Sequence, residues 1–319
     1  MNLTVSSSPH IRGRDTIRRT MVDVLIALAP ALVAGAFSQG PRTLAVALVC
    51  VASAAAGEWL LCRLLGRTNT VTDCSAAVTG LLLSMTLPAT VPYWMAALGA
   101  VFAVVVVKGA FGGLGQNLFN PALAARAFLL LLFPATLVRY AAPGQHLSLF
   151  GTVDIIVSAT PLHHMQMPAL PEASLWEMLL GGSGGSLNEA LLLLGGAYLV
   201  WRRVISLRIP AAYLGTLALL TLVFYKGESP LAWMLYSLLS GGVILGALFM
   251  ATDYATSPVT PGGQILYGMG CGILTTVFRY VGLYPEGVTY AILLMNAAVY
   301  LLERITPPRR FGEVKGGAA

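Results

Sequence analysis

A series of ten long apolar segments constrains this chain more than any other feature of its sequence. The hydrocarbon core of a bilayer is roughly 30 Å thick, so one helical crossing needs about 20 mostly apolar residues. These segments are continuously apolar, whereas the strands of a membrane barrel alternate between apolar and polar positions. We therefore predict an all-α polytopic membrane protein with about ten transmembrane helices, near residues 22–38, 43–63, 74–88, 92–108, 122–138, 187–203, 209–225, 231–250, 264–281 and 287–304.

Charged residues support a membrane location and predict the orientation. Only 10% of the residues are charged, compared with about 25% in soluble domains. Lys and Arg are retained on the cytoplasmic side of short loops, and an arrangement with both termini inside leaves only four of the 19 outside, namely Arg42, Arg139, Lys226 and Arg279. We expect no cleaved signal peptide. The net charge of +6 fits contact with anionic headgroups rather than with nucleic acid.

A long polar gap divides the chain into two membrane halves. We predict a cytoplasmic N-terminal segment at 1–21, a first five-helix half at 22–138 and an outer-face loop at 139–186, followed by a second five-helix half at 187–304 and a cytoplasmic tail at 305–319. Because five is odd, a duplicated unit would lie inverted relative to its copy, as in many transporters. Two unrelated halves remain the alternative.

One polar segment, KGAFGGLGQNLFNPALAAR at residues 108–126, lies on the predicted inner side. Its glycines permit tight turns and close approach to a ligand. Asn120 precedes Pro121, a pattern typical of a helix N-cap followed by proline in the first turn. Asn117 and Asn120 either belong to an ordinary connection or form a polar cradle for a planar ligand or an ion.

A second polar segment, ATDYATSPVTPGGQ at residues 251–264, also lies on the predicted inner side. Asp253 is an acid near the end of an apolar span, and such groups are functional candidates. The alternative is that Asp253 only stabilises a turn with Thr252, Thr256 and Ser257. Within the second span, Glu58 should have a partner, because an unpaired charge at a helix centre costs about 2.5–3.5 kcal/mol.

The third polar segment, VDIIVSATPLHHMQMP at residues 153–168, falls in the predicted outer-face loop. Thr160 precedes Pro161, and residue chemistry alone suggests a helix N-cap. The adjacent His163 and His164 lack further ligands nearby and make a poor metal site.

The four cysteines, at positions 50, 62, 74 and 271, contain no closely spaced pair of the kind found in ferredoxins. We predict small core residues and no iron–sulfur or other metal centre in this chain.

Four ordered motifs together resemble the NqrB/RnfD family of membrane subunits. They are SPHIRGRDTIRRTMVDVLIALAPA, GGLGQNLFNPALAAR, VSATPL and ATDYATSPVTPGG, and the likeness covers nearly the whole chain. The resemblance implies a ten-helix subunit of the bacterial cytoplasmic membrane that carries FMN through a phosphoester to a threonine on the outer face. In this sequence that residue is Thr160.

The resemblance also implies an attachment motif for the flavin transferase, which Asp154, Ala159 and Thr160 match. Val157 and Ser158 depart from it, since Ser or Thr and then Gly are usual at these positions, although Ser158 keeps a small side chain. The resemblance further implies a noncovalent flavin similar to riboflavin. We take Asn117, Asn120 and Asp253 as candidates for this second flavin or for an ion site.

As a member of this family, the chain would act within an Rnf-type complex that couples electron transfer between ferredoxin and NAD to Na⁺ or H⁺ transport. The implied partners are other membrane subunits, including a second covalent-flavin subunit, iron–sulfur subunits and the flavin transferase. No residue of this chain is expected to be catalytic by itself. The alternative is a solute or ion transporter without a bound redox group.

Overall fold

The computed structural model describes residues 16–141, 145–149, 157–158, 174–181, 188–227, 229–282 and 287–307. For residues 157–158 it describes the backbone alone. Asp154, Ala159 and Thr160 of the predicted attachment motif lie outside the described residues, as do His163 and His164.

The described part is built from helices, with one very short sheet. In the first half these helices are α1 (Ile17–Gln39), α2 (Arg42–Leu64), α3 (Ser75–Thr86), α4 (Tyr93–Val101), α5 (Pro121–Leu132) and α6 (Pro134–Leu137). The strands β1 (Tyr140–Ala141) and β2 (Val157–Ser158) pair antiparallel. The remaining helices are α7 (Leu175–Leu180), α8 (Glu189–Trp201), α9 (Arg208–Val223), α10 (Pro230–Leu239), α11 (Val243–Leu245), α12 (Pro261–Val281) and α13 (Val288–Ile305).

Each of the ten predicted apolar segments contains a helix or a pair of helices, which confirms the all-α polytopic fold class. Among the described residues, α1, α2 and α13 are long and apolar enough to cross a membrane as single helices. Large apolar side chains such as Phe37, Leu48 and Leu131 are exposed, as expected of a surface that faces lipid.

Several segments differ in detail from the predicted straight spans. The segment predicted at 231–250 is broken between α10 and the helical stretch Val243–Met250, with a bend of 63°. Gly241 and Gly242 both have a φ of 65° at this break, a left-handed conformation that glycine adopts without steric cost. The span predicted at 122–138 ends at Leu132, because Pro134 has no N–H to continue the helix.

Helices α4 and α11 both continue as wider π-helical turns, at Phe102–Lys108 and Gly246–Met250. Such turns are rare and often occur at functional sites. Each leads into one of the polar segments on the predicted inner side.

A very close helix pair in the second half is formed by α9 and α12. A Cβ atom added at Gly268 would lie 2.7 Å from the Ile209 carbonyl oxygen, and one at Gly272 would lie 2.9 Å from the Tyr213 carbonyl oxygen. This small-xxx-small spacing lets helix backbones approach closely in a membrane. Between the same helices, the Tyr213 hydroxyl lies 2.6 Å from Thr275 Oγ1.

An ion pair connects the first half to the second. Asp23 on α1 accepts hydrogen bonds from the Arg202 guanidinium at the end of α8, with 2.9 Å between Arg202 Nη2 and Asp23 Oδ2. The Tyr198 hydroxyl also donates to Asp23, at 3.0 Å. Asp23 thus holds α1 against α8.

We expect Arg202→Ala to lower the free energy of unfolding by about 1.5–3 kcal/mol, since hydrogen bonds to a charged group contribute on this scale. Asp23 is 7% exposed and would keep only its bond from Tyr198. Thermal unfolding in detergent measures the change. The matched control is Arg203→Ala, which removes an exposed neighbouring charge. An equal loss in both variants would contradict the role given to this pair.

Candidate functional site

A cavity of about 90 Å³ lies between the N-terminal ends of α1 and α3 and the polar segments on the predicted inner side. At about 30 Å³ for each water, it has room for roughly three water molecules. We call it the inner cavity. Asn117, Asn120 and Asp253 all line it. The structure thus brings together the three residues that sequence analysis proposed for a second site.

The loop after Lys108 shapes one wall of the inner cavity. Gly112, Gly113 and Gly115 have φ values of 112°, 109° and 86°, so the tight turns expected of these glycines are confirmed. The loop brings Asn117 to the cavity with 6% of its surface exposed. Asn117 Oδ1 is buried and has no hydrogen-bond partner among the described residues. A buried unsatisfied acceptor is costly, and here it is available to a bound donor.

Asn120 has the capping role that the Asn-Pro pattern predicts. Its Oδ1 accepts hydrogen bonds from the N–H groups of Ala122 and Leu123, at 3.1 and 3.3 Å. Its Nδ2 donates to the Met250 carbonyl oxygen at 3.2 Å. Asn120 therefore ties the start of α5 to the end of the π-helical stretch after α11, and fixes the wall of the inner cavity.

Asp253 stabilises the turn that follows this π-helical stretch. Its carboxylate accepts bonds from Ala255 N–H at 3.4 Å and from Thr256 Oγ1 at 3.3 Å. The turn role weighed from sequence is therefore confirmed, while the same residue also lines the inner cavity. Desolvation of the carboxyl raises the pKa of Asp253 above the ordinary value, despite the two hydrogen bonds that lower it.

Glu58 has the partner that its burial requires. Lys108 Nζ lies 2.5 Å from Glu58 Oε1 and donates a second bond to Ser75 Oγ at 2.6 Å. Ser75 Oγ donates to Asp73 Oδ1 at 2.5 Å, and Thr70 Oγ1 donates to Glu58 Oε1 at 2.6 Å. These five residues form what we call the Glu58–Lys108 network. Both Lys108 and Ser75 also line the inner cavity.

Sequence reasoning did not propose Lys108 or Ser75 for the site. One signal was available: Lys108 ends the apolar run VFAVVVV and directly precedes the glycine-rich loop. A lysine at such a boundary normally reaches toward water. Here it is only 3% exposed and points to Glu58.

A second cavity, of about 80 Å³, lies at the opposite ends of α1 and α3. We call it the outer cavity, after its predicted side of the membrane. Arg126 lines it and donates from Nη1 to the Thr86 carbonyl oxygen at the end of α3. No Asp or Glu is among the described residues that line it. Arg126 is thus the one charged side chain in the described lining of the outer cavity.

The short sheet connects the outer cavity to the predicted attachment motif. Tyr140 of β1 lines the cavity and pairs with Ser158 of β2. Ser158 lies two residues before Thr160 in the sequence. The described part of the motif, residues 157–158, therefore lies beside the wall of the outer cavity.

The Cys50, Cys62 and Cys271 side chains are buried and Cys74 is half-buried, all as free thiols. Three of the four have the expected place of small core residues.

Comparison with known proteins identifies the family. The model of the NQR2, RnfD, RnfE family matches residues 4–312. The D component of the Na⁺-translocating ferredoxin:NAD⁺ oxidoreductase complex from Acetobacterium woodii is 46% identical, covering 99% of this chain and 97% of the relative. Its proton-translocating counterpart from Clostridium ljungdahlii is 38% identical, covering 97% and 96%. The D component of an ion-translocating oxidoreductase complex from Halorhodospira halophila is 37% identical, covering 98% and 96%. The chain therefore belongs to the NQR2, RnfD, RnfE family.

Proposed function

We propose that this chain is the D component, a membrane subunit, of an ion-translocating ferredoxin:NAD⁺ oxidoreductase complex, and that it carries FMN covalently on Thr160. The observation that carries the first part is the near full-length likeness to relatives named as this component. One of these relatives is named for Na⁺ and the other for protons, so the proposal covers transport of either ion.

The covalent FMN is supported by the outer cavity. Ser158 pairs with Tyr140, which lines that cavity, and two residues of chain span at most about 7 Å, so an attachment at Thr160 suits this cavity. The Arg126 side chain and the lack of acidic residues in the described lining suit an anionic phosphate or a reduced ring. The bound flavin would supply the electron exchange, while the protein supplies position and electrostatics.

We propose that a noncovalent flavin binds next to the inner cavity, with the polar edge of its ring facing the cavity water, because the cavity itself has room for only about three waters. Asn117 Oδ1 is an unpartnered acceptor that suits an N–H donor on the polar edge of such a ring. The two cavities lie at opposite ends of α3, whose 12 residues span about 18 Å. The whole membrane is too wide for one electron-transfer step. Electron carriers at both ends of α3 would divide the crossing into shorter steps.

The proposal also covers the partners of the chain and its location in the cell. We propose other subunits of the complex as partners, including a second covalent-flavin subunit and iron–sulfur subunits, and a flavin transferase for maturation. We place the chain in the bacterial cytoplasmic membrane with both termini inside and the Thr160 loop outside.

Mass spectrometry of the peptide that contains Thr160 tests the covalent group directly. In the complex purified from its own cells, we expect this peptide to carry FMN joined through its phosphate. An unmodified peptide in an active complex would contradict the proposal. A colourless preparation that still transports ions would favour the transporter without a redox group.

A further inference from the structure

A continuous chain of short hydrogen bonds runs from the surface to the inner cavity. It begins at Asp73, which is half-buried in the turn before α3. Asp73 Oδ1 lies 2.5 Å from Ser75 Oγ, and Ser75 Oγ lies 2.6 Å from Lys108 Nζ. Ser75 and Lys108 both line the inner cavity. Each link joins groups that can pass a proton.

The Glu58–Lys108 pair is unfavourable for a purely structural contact. Both side chains are 4% exposed, and removing two charges from water costs several kcal/mol for each ion, which their attraction often fails to offset. Within the part of the chain that the structure describes, Glu58 Oε2 is also buried without a hydrogen-bond partner. An apolar pair would hold α2 against the end of the π-helical stretch without this cost. Buried ionisable residues within membrane segments commonly mark proton paths.

We propose that Asp73, Ser75 and Lys108 form a proton path from the inner surface to the inner cavity, with Glu58 holding the Lys108 ammonium in place. This path rests on the proposed function, because turnover of the complex would provide the demand for protons. It does not depend on which ion is transported.

The transfer steps balance within the residues of the chain. Lys108 breaks one N–H bond and gives the proton to an acceptor across the cavity water, and becomes a neutral amine. The Ser75 hydroxyl then reprotonates Lys108 as it takes the proton of a protonated Asp73. Solvent then protonates Asp73 again. Each cycle therefore moves one proton from the inner surface to the inner cavity and returns Asp73, Ser75 and Lys108 to their starting states.

Asp253 is the acceptor that the structure provides. It lines the same cavity as Lys108, and the roughly three waters that fit there can join the two groups. Burial raises the pKa of Asp253, so that it binds a proton more readily than an exposed carboxylate. Two titratable groups contact Lys108 within the first half: Glu58 on α2 does so directly, and Asp73 does so through Ser75. From the second half, Asp253 and Tyr254 line the same cavity as Lys108.

Chemical rescue tests the path in the whole complex reconstituted into liposomes. We expect Asp73→Asn and Ser75→Ala to slow electron transfer from ferredoxin to NAD⁺ by about tenfold or more at alkaline pH, where protons are scarce. Added imidazole buffer should restore much of the turnover of Asp73→Asn, because its imidazolium form delivers protons in place of the missing carboxyl. A merely structural role of Asp73 would give no rescue.

The matched control is Thr72→Ala, which alters the exposed neighbour of Asp73 and leaves every bond of the path in place. Wild-type turnover and the covalent flavin content are measured first, so a failure of the proposed function is recognised separately. Wild-type rates in Asp73→Asn across the pH range, or slow rates that imidazole does not raise, would overturn the path.

Discussion

Replacing Thr160 by valine should remove all covalently bound flavin from this chain. Valine has nearly the shape of threonine but lacks the hydroxyl oxygen that the phosphoester needs, so no partial attachment is expected. The measurement is fluorescence of the denatured polypeptide band under ultraviolet light. We expect a bright band for the wild type and none for Thr160→Val.

Two further variants make this result specific. Thr160→Ser keeps a hydroxyl and should keep the fluorescence, whereas Thr152→Val alters another threonine of the same predicted loop and should leave it unchanged. The amount of folded protein is compared by thermal unfolding. Fluorescence that persists in Thr160→Val would show that the flavin is attached to another residue.

The Thr160 assignment comes from motif resemblance and lies outside the described residues. Residue chemistry alone favoured a helix N-cap at Thr160, so local physics and the motif lead to different roles. The pairing of β2 with β1 adds a physical connection that the sequence did not reveal, because a two-residue strand has no periodic signal. It links the motif to a cavity that contains Arg126.

Local patterns predicted local structure well. Asn120 before Pro121 indicated a helix cap, and the cap is present, because the capping bonds are made within three residues of chain. The break at Gly241–Gly242 was missed, since the apolar run is uninterrupted there and hydropathy does not depend on backbone direction. Glycine pairs inside an apolar run are the one signal that could have located it.

Long-range partners were less accessible from sequence. Burial alone required a partner for Glu58. Which residue is the partner depends on how α2 is rotated toward Lys108, 50 positions away in the sequence. Lys108 was counted only as a marker of orientation. The gathering of Asn117, Asn120 and Asp253 was proposed from family motifs. The tertiary fold supplies the reason, because Asn120 bonds to the end of the second π-helical stretch and both polar segments line the same cavity.

The Glu58–Lys108 pair gives the largest expected effect on stability. Lys108→Met keeps an unbranched apolar stem but removes the ammonium. Glu58 is then left charged and buried, with Thr70 as its one remaining partner among the described residues. Removing one partner of a buried ion pair typically costs 3–5 kcal/mol, and we expect a loss of about that size here. A thiol-reactive dye can follow thermal unfolding, since Cys50, Cys62 and Cys271 become accessible only when the chain opens.

The double variant Glu58→Gln, Lys108→Met separates the cost of an unpaired charge from the loss of packing. Without the carboxylate charge nothing buried remains uncompensated, and well-packed neutral replacements of buried pairs are often nearly neutral in stability. We therefore expect the double variant to regain most of the stability lost in Lys108→Met, while it lacks the ammonium that the proton path requires. If the double variant regains both stability and full turnover, the pair only holds α2 in place. If it regains stability but turns over slowly, the Lys108 ammonium is needed for proton transfer to the inner cavity.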